Sequence, residues 1–166
     1  MMNRLFCSDL HLGHKLAARL RGYSSVEEHD NHIIEILQMY CRKKRDILWI
    51  LGDVAMNKSS LLLLNSISCR KILVRGNHDQ EKIQDYMEVF EEIHGFYKYK
   101  GLWLSHCPIH PQEMCRVKAN VHGHIHKDAL TKSIGFPYIN INWDFYKRPL
   151  TFEEIRDIVV INTNSQ

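Results

Sequence analysis

The sequence predicts an α/β layered fold, and two observations support this prediction. Short apolar runs lead directly into polar tips, as buried strands do, at residues 4–7, 47–51, 71–74 and 102–104. Segments in which apolar residues recur at helical spacing lie between these runs. Strands that alternate with helices form layers, and their functional groups gather on loops beyond the carboxyl ends of the strands.

The helices are predicted from apolar spacing and from capping residues. Residues 25–45 have apolar side chains near helical spacing, and Ser25 with Glu28 forms a capping box at the start of this segment. Asn57 is predicted to cap a second helix at residues 61–64, and a third helix is predicted at residues 81–89. The basic run at residues 42–45 then falls at the end of the first helix, where cations complement the helix dipole.

The second half of the chain predicts three further strands and a final helix. Two strands are expected at residues 96–100 and 119–122, and residues 138–143 alternate apolar with polar side chains as a half-buried strand does. Thr151 with Glu154 is expected to cap a last short helix. No repeat or linker interrupts the 166 residues, so we expect one domain over residues 1–166.

Composition restricts the partners and the compartment. The 22 Lys and Arg residues exceed the 19 Asp and Glu residues by only three, which does not indicate a nucleic-acid partner but suits an anionic substrate. The five cysteines include no C-x-x-C pair, so neither a disulfide framework nor a thiolate zinc site is expected. Without a signal peptide or a membrane-spanning apolar stretch, the expected location is the cytoplasm, with no membrane partner.

Metal-ligand residue types follow the predicted strands in five short motifs. Asp9 and His11 are two residues apart, so on an extended strand end they would lie on one face and bind one metal ion. Asp53 follows Gly52, and its two carboxylate oxygens can bridge a pair of cations. The remaining motifs are residues 76–79 (Gly-Asn-His-Asp), His106 after an apolar strand, and residues 122–126 (His-Gly-His-Ile-His).

The order of these motifs is that of D-x-H, G-D, G-N-H-D/E, H and G-H-x-H, and here the sequence resembles the calcineurin-like metallophosphoesterase superfamily, especially its small single-domain members of bacterial and phage origin. The resemblance implies a layered αββα sandwich, with two mixed β-sheets flanked by helices and a dinuclear metal site at strand ends. It implies that Asp53 bridges two metal ions and that His78 is the catalytic residue. The other implied ligands form one group of Asp9, His11 and His126 and a second group of Asn77, His106 and His124.

The function implied is hydrolysis of phosphodiester or phosphomonoester bonds by a hydroxide that bridges the two metals. Manganese is the expected metal, with Fe, Zn and Ni as alternatives. The expected substrates are nucleotides or similar small phosphorylated molecules, contacted by Asn77, His78 and also His14. The alternatives are a nuclease of the same superfamily, in which case nucleic acid is the partner, and a scaffold of this fold with little catalysis. The oligomeric state is not predicted.

Several residues near the motifs carry simpler interpretations. His14 and His122 flank predicted ligands, and an ordinary packed histidine is as good an interpretation for each as a role in the site. Lys15, Arg19 and Arg21 are expected in a solvated basic loop rather than on substrate phosphates. Cysteines most often pack as small hydrophobic residues, and this is also the expectation for the two that adjoin the site in sequence, Cys7 and Cys107.

Overall fold

The computed structural model describes residues 2–126 and 137–164, and within them the strands form two mixed sheets. In chain order the strands are β1 (Arg4–Cys7), β2 (Ile47–Ile50), β3 (Arg70–Val74), β4 (Glu92–His94), β5 (Phe96–Tyr99), β6 (Leu102–Ser105), β7 (Ala119–His122), β8 (Tyr138–Asn140) and β9 (Leu150–Thr151). The first sheet has the order β4-β3-β2-β1-β9, with β1 to β4 parallel and β9 antiparallel to β1. The second has the order β5-β6-β7-β8, with β6, β7 and β8 parallel.

Helices flank the two sheets. In chain order they are α1 (Lys15–Leu20), α2 (Val26–Tyr40), α3 (Lys58–Leu62), α4 (Ile83–Met87), α5 (Trp143–Tyr146) and α6 (Phe152–Asn164), with 3-10 helices at Leu63–Ser66 and Pro111–Arg116. The Ser25 side chain caps α2 by accepting a hydrogen bond from the Glu28 amide at 3.0 Å, but the Glu28 carboxylate accepts the Ser24 amide and not the Ser25 amide that a capping box requires. Asn57 caps α3 in the same way, through the Ser60 amide at 2.9 Å.

Two apolar layers hold the sheets and helices together. Along β1, Leu5 and Cys7 belong to the layer between the first sheet and helices α2 to α4, whereas Phe6 belongs to the layer between the two sheets. This alternation is the period-2 pattern of a strand buried on both faces. Leu104 and Val121 of the second sheet belong to the same layer as Phe6. Each such side chain contributes about 1.5–3 kcal/mol of burial free energy, so both faces of β1 stabilise the layered arrangement.

The predicted fold class is confirmed: this is an α/β fold with two mixed sheets flanked by helices. Sequence patterning missed β4, β9 and α1, which are short elements with only two to six residues. The predicted strand at residues 138–143 ends at Asn140, because the Asn142 side chain accepts the Asp144 amide and begins α5. The helix predicted at residues 25–45 ends at Tyr40.

Basic and capping residues near the ends of helices behave mostly as the sequence indicates. Arg42 follows α2, and its Nε donates to the Met39 carbonyl at 2.7 Å, so this cation does bind the last turn of the helix. Thr151 and Glu154 form a reciprocal capping box at the start of α6. With 13 residues, α6 is longer than the short helix that was predicted.

Candidate metal centre

All seven predicted metal ligands lie on loops that follow the carboxyl ends of strands. The loops after β1, β2 and β3 come from the first sheet, and those after β6 and β7 come from the second. Because these strands are parallel within each sheet, their carboxyl ends meet at one edge of the layered structure. In order along the chain the seven residues are Asp9, His11, Asp53, Asn77, His106, His124 and His126.

Backbone hydrogen bonds continue beyond the strands and fix the loops relative to one another. The Asp9 amide donates to the Gly52 carbonyl at 3.0 Å, and the His11 amide donates to the backbone carbonyl of Asp53 at 3.0 Å. The two sheets are joined here as well, because the His124 amide donates to both carboxylate oxygens of Asp9, at 3.1 and 2.9 Å. The Asp9 side chain therefore connects the loop after β1 to the loop after β7.

Four of the predicted ligands have left-handed backbone conformations, which side-chain-bearing residues rarely adopt. Their φ angles lie between 53° and 67°, and the residues are Asp9, His11, Asp53 and His124. Among the described non-glycine residues, Lys100 and Lys147 are the two others with positive φ. Such strain concentrates at functional sites, where the surrounding structure must enforce it. Asp9 and His11 are thus aimed by turns of the backbone, not by the extended strand end expected from their spacing.

Two glycines permit the close approach of these loops. A Cβ on Gly52 would lie 2.5 Å from Nδ1 of His106 and 2.7 Å from the Gly76 backbone. A Cβ on Gly123 would overlap a carboxylate oxygen of Asp9. All of these approaches are closer than any ordinary contact with a side chain. Glycine is therefore required at these positions for the loops to converge.

The first group of predicted ligands converges around the Nε2 atom of His11. This atom lies 3.3 Å from Nε2 of His126 and 3.9 Å from Oδ1 of Asp9. Nε2 of His126 is itself 3.6 Å from the same oxygen of Asp9. Two ring nitrogens and a carboxylate oxygen thus face a common point.

The second group converges around Nε2 of His106. This nitrogen lies 3.0 Å from Oδ1 of Asn77 and 3.2 Å from Nδ1 of His124. Asp53 faces both groups, because its Oδ2 atom is 3.4 Å from Nε2 of His106 and 3.9 Å from Nε2 of His11. The structure therefore brings all seven residues together, with Asp53 between the two sets.

The partners of two ring nitrogens fix which nitrogen faces the site. Nδ1 of His106 lies 2.8 Å from the Leu51 carbonyl, and Nδ1 of His126 lies 2.7 Å from Oδ2 of Asp144. When each Nδ1–H donates to these oxygens, the Nε2 atom of the neutral ring has its lone pair directed at the predicted metal positions. Lone pairs at the observed spacing repel one another unless a cation or a proton lies among them, so the donor set fits bound metal ions.

Asp144 and Arg21 take part in the site, although neither was assigned to it from the sequence. Arg21 donates from Nε to Asp144 at 2.7 Å and from its two terminal nitrogens to the carbonyls of Leu10 and Asp9, also at 2.7 Å. Burial alone would raise the pKa of Asp144, but the His126 hydrogen bond and the Arg21 charge outweigh it and hold that pKa near 2. The expectation of a solvated basic loop is therefore wrong for Arg21, whose side chain is only 12% exposed.

Burial favours the neutral forms of the ligand side chains, and it is the dominant effect on the pKa of Asp9 and His11 but is outweighed for Asp53, His106 and His126. It raises the pKa of Asp9 to about 6 and lowers the pKa of His11 well below its usual range. For Asp53, burial acts in the same direction, but the hydrogen bond and charge of His106 outweigh it and lower the pKa of this carboxyl. Neutral imidazole is the form that binds metal ions.

His78 lies beside both groups but outside them. Its amide donates to Oδ1 of Asp53 at 2.9 Å, and its ring is edge-on to that of His11 with centroids 5.9 Å apart. The exposed His78 ring lines a cavity of about 410 Å³ together with His11, His14 and His126. This position is open to a substrate.

Asp79, the acidic neighbour of His78, binds backbone amides and not the His78 ring. It is buried and accepts the amides of Gly76, Asp53 and Val54 at 2.7 to 3.0 Å. It therefore fixes the loop after β3 to the loop after β2. No pattern in the sequence beyond its place in the motif indicated this role.

Of the remaining residues near the motifs, some are packed in the interior and others lie beside the candidate metal centre. His14 caps α1 by accepting the Ala17 amide at Nδ1, and it also lines the cavity. His122 is fully buried, and burial lowers its pKa to about 4, as expected for a packed histidine. Cys7 is packed in the core, but the same prediction is wrong for Cys107, which is exposed with its sulfur within 4.8 Å of ring nitrogens of His106 and His124.

The sequence is similar to those of several known proteins. The sequence model of the calcineurin-like phosphoesterase family matches residues 2–111. The Gene 66 protein of Mycobacterium phage L5 is 30% identical, over 96% of this chain and 95% of that protein, and the Gene 66 protein of Mycobacterium phage D29 is 27% identical over 96% of each.

Two solved structures share the fold. A protein of unknown function from Aquifex aeolicus, AQ665, superposes with a TM-score of 0.76 at 27% identity, over 95% of this chain and all of that one. The Pseudomonas putida nuclease MPE superposes with a TM-score of 0.53 at 17% identity, over 74% of this chain and 61% of that one, a likeness of fold alone. In the described part of the chain, no helix has the length and apolar character needed to cross a membrane.

Proposed function

The chain belongs to the calcineurin-like phosphoesterase family, and we propose that it hydrolyses phosphodiester or phosphomonoester bonds of nucleotides or similar small phosphorylated molecules. One observation carries this proposal. Two groups of nitrogen and oxygen donors converge within hydrogen-bonding distances, and Oδ2 of Asp53 faces both of them. This is the arrangement needed to hold two cations close together.

The seven predicted ligands would hold the two metal ions. Asp9, His11 and His126 supply one group, the second group contains His106 with its neighbours Asn77 and His124, and Asp53 serves both. Two bound divalent ions would activate water for attack on phosphorus and neutralise charge on the phosphate oxygens. Four imidazoles with carboxylate and amide oxygens suit Mn, Fe, Zn and Ni, and we propose Mn first, with the other three as alternatives.

Residues around the metal centre supply the remaining chemistry. His78 projects into the cavity beside His11, where it can donate a proton to the leaving oxygen or a hydrogen bond to the developing charge. Nδ1 of His14 accepts the Ala17 amide, so the proton of the neutral ring is on Nε2 and can be donated to a substrate oxygen. Asn77 and His78 are the other proposed substrate contacts.

Metal analysis and ester hydrolysis test the proposal together. Purified protein loaded with Mn²⁺ should bind two ions per chain and release p-nitrophenolate from mono- or diester substrates. The Asp53→Ala variant should lose metal and turnover, since it removes the oxygen that faces both groups. Metal-loaded, folded protein without activity on any phosphate ester would refute the enzymatic function and favour a scaffold.

The same assay separates a nucleotide-directed enzyme from a nuclease. The Pseudomonas putida relative in fold is a nuclease by name, but at 17% identity it supports the fold only. We expect nucleotides to be cleaved with higher kcat/KM than long single-stranded DNA. Faster cleavage of internal DNA linkages would make the nuclease the correct alternative.

A further inference from the structure

A cleft extends from the candidate metal centre along α1. The 410 Å³ cavity that contains His78 is also lined by Leu16, Ala17 and Leu20 of this helix. A second cavity of about 360 Å³ adjoins it, because Leu20, Arg21 and Asp144 line both, and it ends at Tyr23, Trp143 and Lys147. We name the two cavities together the α1 cleft. Its combined size suits a small organic ligand better than phosphate alone.

The wall formed by α1 is unusually apolar for an exposed helix face. Leu16 is 47% exposed and Leu20 is 76% exposed, and with a spacing of four residues they lie on the same side of the helix. α1 buries Ala18 on its opposite side. Exposed neighbouring leucines next to a polar reaction centre are typical of a surface that a ligand covers.

The charged residues between the two cavities are already occupied. Arg21 donates to Asp144, to the carbonyls of Asp9 and Leu10, and lies 2.9 Å from Nε2 of His29. It therefore has little capacity to bind a second phosphate group. Beyond the metal centre, the cleft offers an apolar wall, the Tyr23 ring and the exposed Lys147 at its far end.

We propose that the α1 cleft binds the nucleoside part of the phosphoester substrate. A nucleobase has flat apolar faces that can lie on Leu16 and Leu20, and polar edges that can reach Tyr23 and Lys147. An alkyl group would cover the leucines equally well, but it would leave these polar groups desolvated without partners. The inference rests on the proposed function, since it assumes that the ester phosphate lies at the metal centre.

Two esters with the same leaving group test the inference. Thymidine 5′-(p-nitrophenyl phosphate) and methyl p-nitrophenyl phosphate both release p-nitrophenolate, so the ratio of their kcat/KM values reports the nucleoside contact. We expect a ratio of at least about tenfold for the Mn²⁺-loaded protein, and a decrease of about fivefold in the Leu20→Ser variant, from the loss of part of one leucine contact. Met87→Ser on α4, at a similarly exposed position (67%), is the matched control and should leave the ratio unchanged.

Calorimetric binding of the non-hydrolysable phosphonate analogue of thymidine 5′-monophosphate to the Mn²⁺-loaded protein provides a readout that does not require turnover. Affinity should fall about fivefold in Leu20→Ser and stay constant in Met87→Ser.

Hydrolysis of both esters with a ratio near one, or with the same ratio in Leu20→Ser, overturns the inference while the phosphoesterase function stands. A higher kcat/KM for octyl p-nitrophenyl phosphate than for the thymidine ester also overturns it, in favour of an alkyl group. Failure to hydrolyse any phosphate monoester or diester refutes the proposed function, and binding of the nucleotide analogue that Leu20→Ser leaves unchanged then overturns the inference as well.

Discussion

At the scale of single residues, the site depends on side chains whose partners fix their direction. Asp53 illustrates this, because its backbone has φ of 53°, one carboxylate oxygen accepts the His78 amide, and the other faces both ligand groups. Each contact restricts a different part of the residue. A side chain held in this way is positioned before any ligand binds, which lowers the cost of metal binding.

Replacing His78 should separate metal binding from turnover. The His78→Ala variant keeps every predicted ligand, so it should bind two Mn²⁺ ions with near-normal affinity while kcat falls about 10²- to 10⁴-fold through loss of the proton donor. Metal content and steady-state rates measured on one preparation check this. Near-normal turnover would exclude His78 as a catalytic residue.

Asp144 should influence the metal ions through His126. In the Asp144→Asn variant the amide can present its nitrogen to the ring, so the carboxylate no longer holds Nδ1–H of His126 and the Nε2 lone pair is less firmly directed. We expect about a 10- to 100-fold loss of metal affinity, the range seen when such supporting contacts are removed. Calorimetric titration with Mn²⁺ measures it.

The comparison variant for this experiment is Asp157→Asn on α6, an acidic residue outside the metal centre. It should bind Mn²⁺ as the unmodified protein does. Equal metal affinity in the Asp144→Asn variant would show that the His126 ring needs no carboxylate partner.

At the scale of elements, short loops matter more than the strands and helices they connect. The loops after β2 and β3 are held together by one buried carboxylate, Asp79, which accepts three backbone amides. Burial raises the pKa of this group, and the three amides partly offset that effect. A carboxylate in this position satisfies donors that water cannot reach.

The Asp79→Ala variant should therefore be destabilised and should lose the site. Two buried amides and one part-buried amide without an acceptor cost on the order of 3 kcal/mol or more of unfolding free energy. Urea denaturation in EDTA isolates this effect from metal binding. The surface variant Glu91→Ala, which removes the exposed pair with Arg70, should change the unfolding free energy by less than about 1 kcal/mol. A similar small change in both variants would contradict the role given to Asp79.

At the scale of the whole molecule, the candidate metal centre lies where the two sheets meet. Asp9, His11, Asp53 and Asn77 come from loops of the first sheet, whereas all three remaining ligands come from loops of the second. Two hydrogen bonds within the chain join the sheets near this edge. The His124 amide donates to the Asp9 carboxylate, and the Trp143 amide donates to the Ser8 carbonyl. Bound metal ions would add a strong link between the same two halves.

Metal binding should consequently stabilise the folded protein. At a free Mn²⁺ concentration about 100 times Kd, the unfolding free energy should rise by about 2.7 kcal/mol per site, and EDTA should reverse the increase. Thermal unfolding with and without Mn²⁺ measures the change in Tm. The Asp53→Ala variant should show little or no increase, and an increase as large as that of the unmodified protein would place the bound ions elsewhere.

The fold class, most strands and the residues that converge could be predicted from local sequence patterns. Buried strands such as β1 and β7 were readable because their apolar runs end abruptly in polar residues, and this local pattern also placed each motif at a strand end. The capping residues Ser25, Asn57 and Thr151 were readable for the same reason, since a cap acts within four residues of its own position.

The distant residues that support those motifs could be identified only from the folded chain. Arg21 and Asp144 are 123 positions apart, and nothing local relates an arginine after α1 to an aspartate in α5. The same holds for the α1 cleft, whose walls come from separate parts of the chain. Local patterns report local energies, such as strand burial and helix capping. The contacts that orient a ligand or shape a cleft for substrate depend on how the two sheets and α1 pack, and that arrangement exists only in the folded chain.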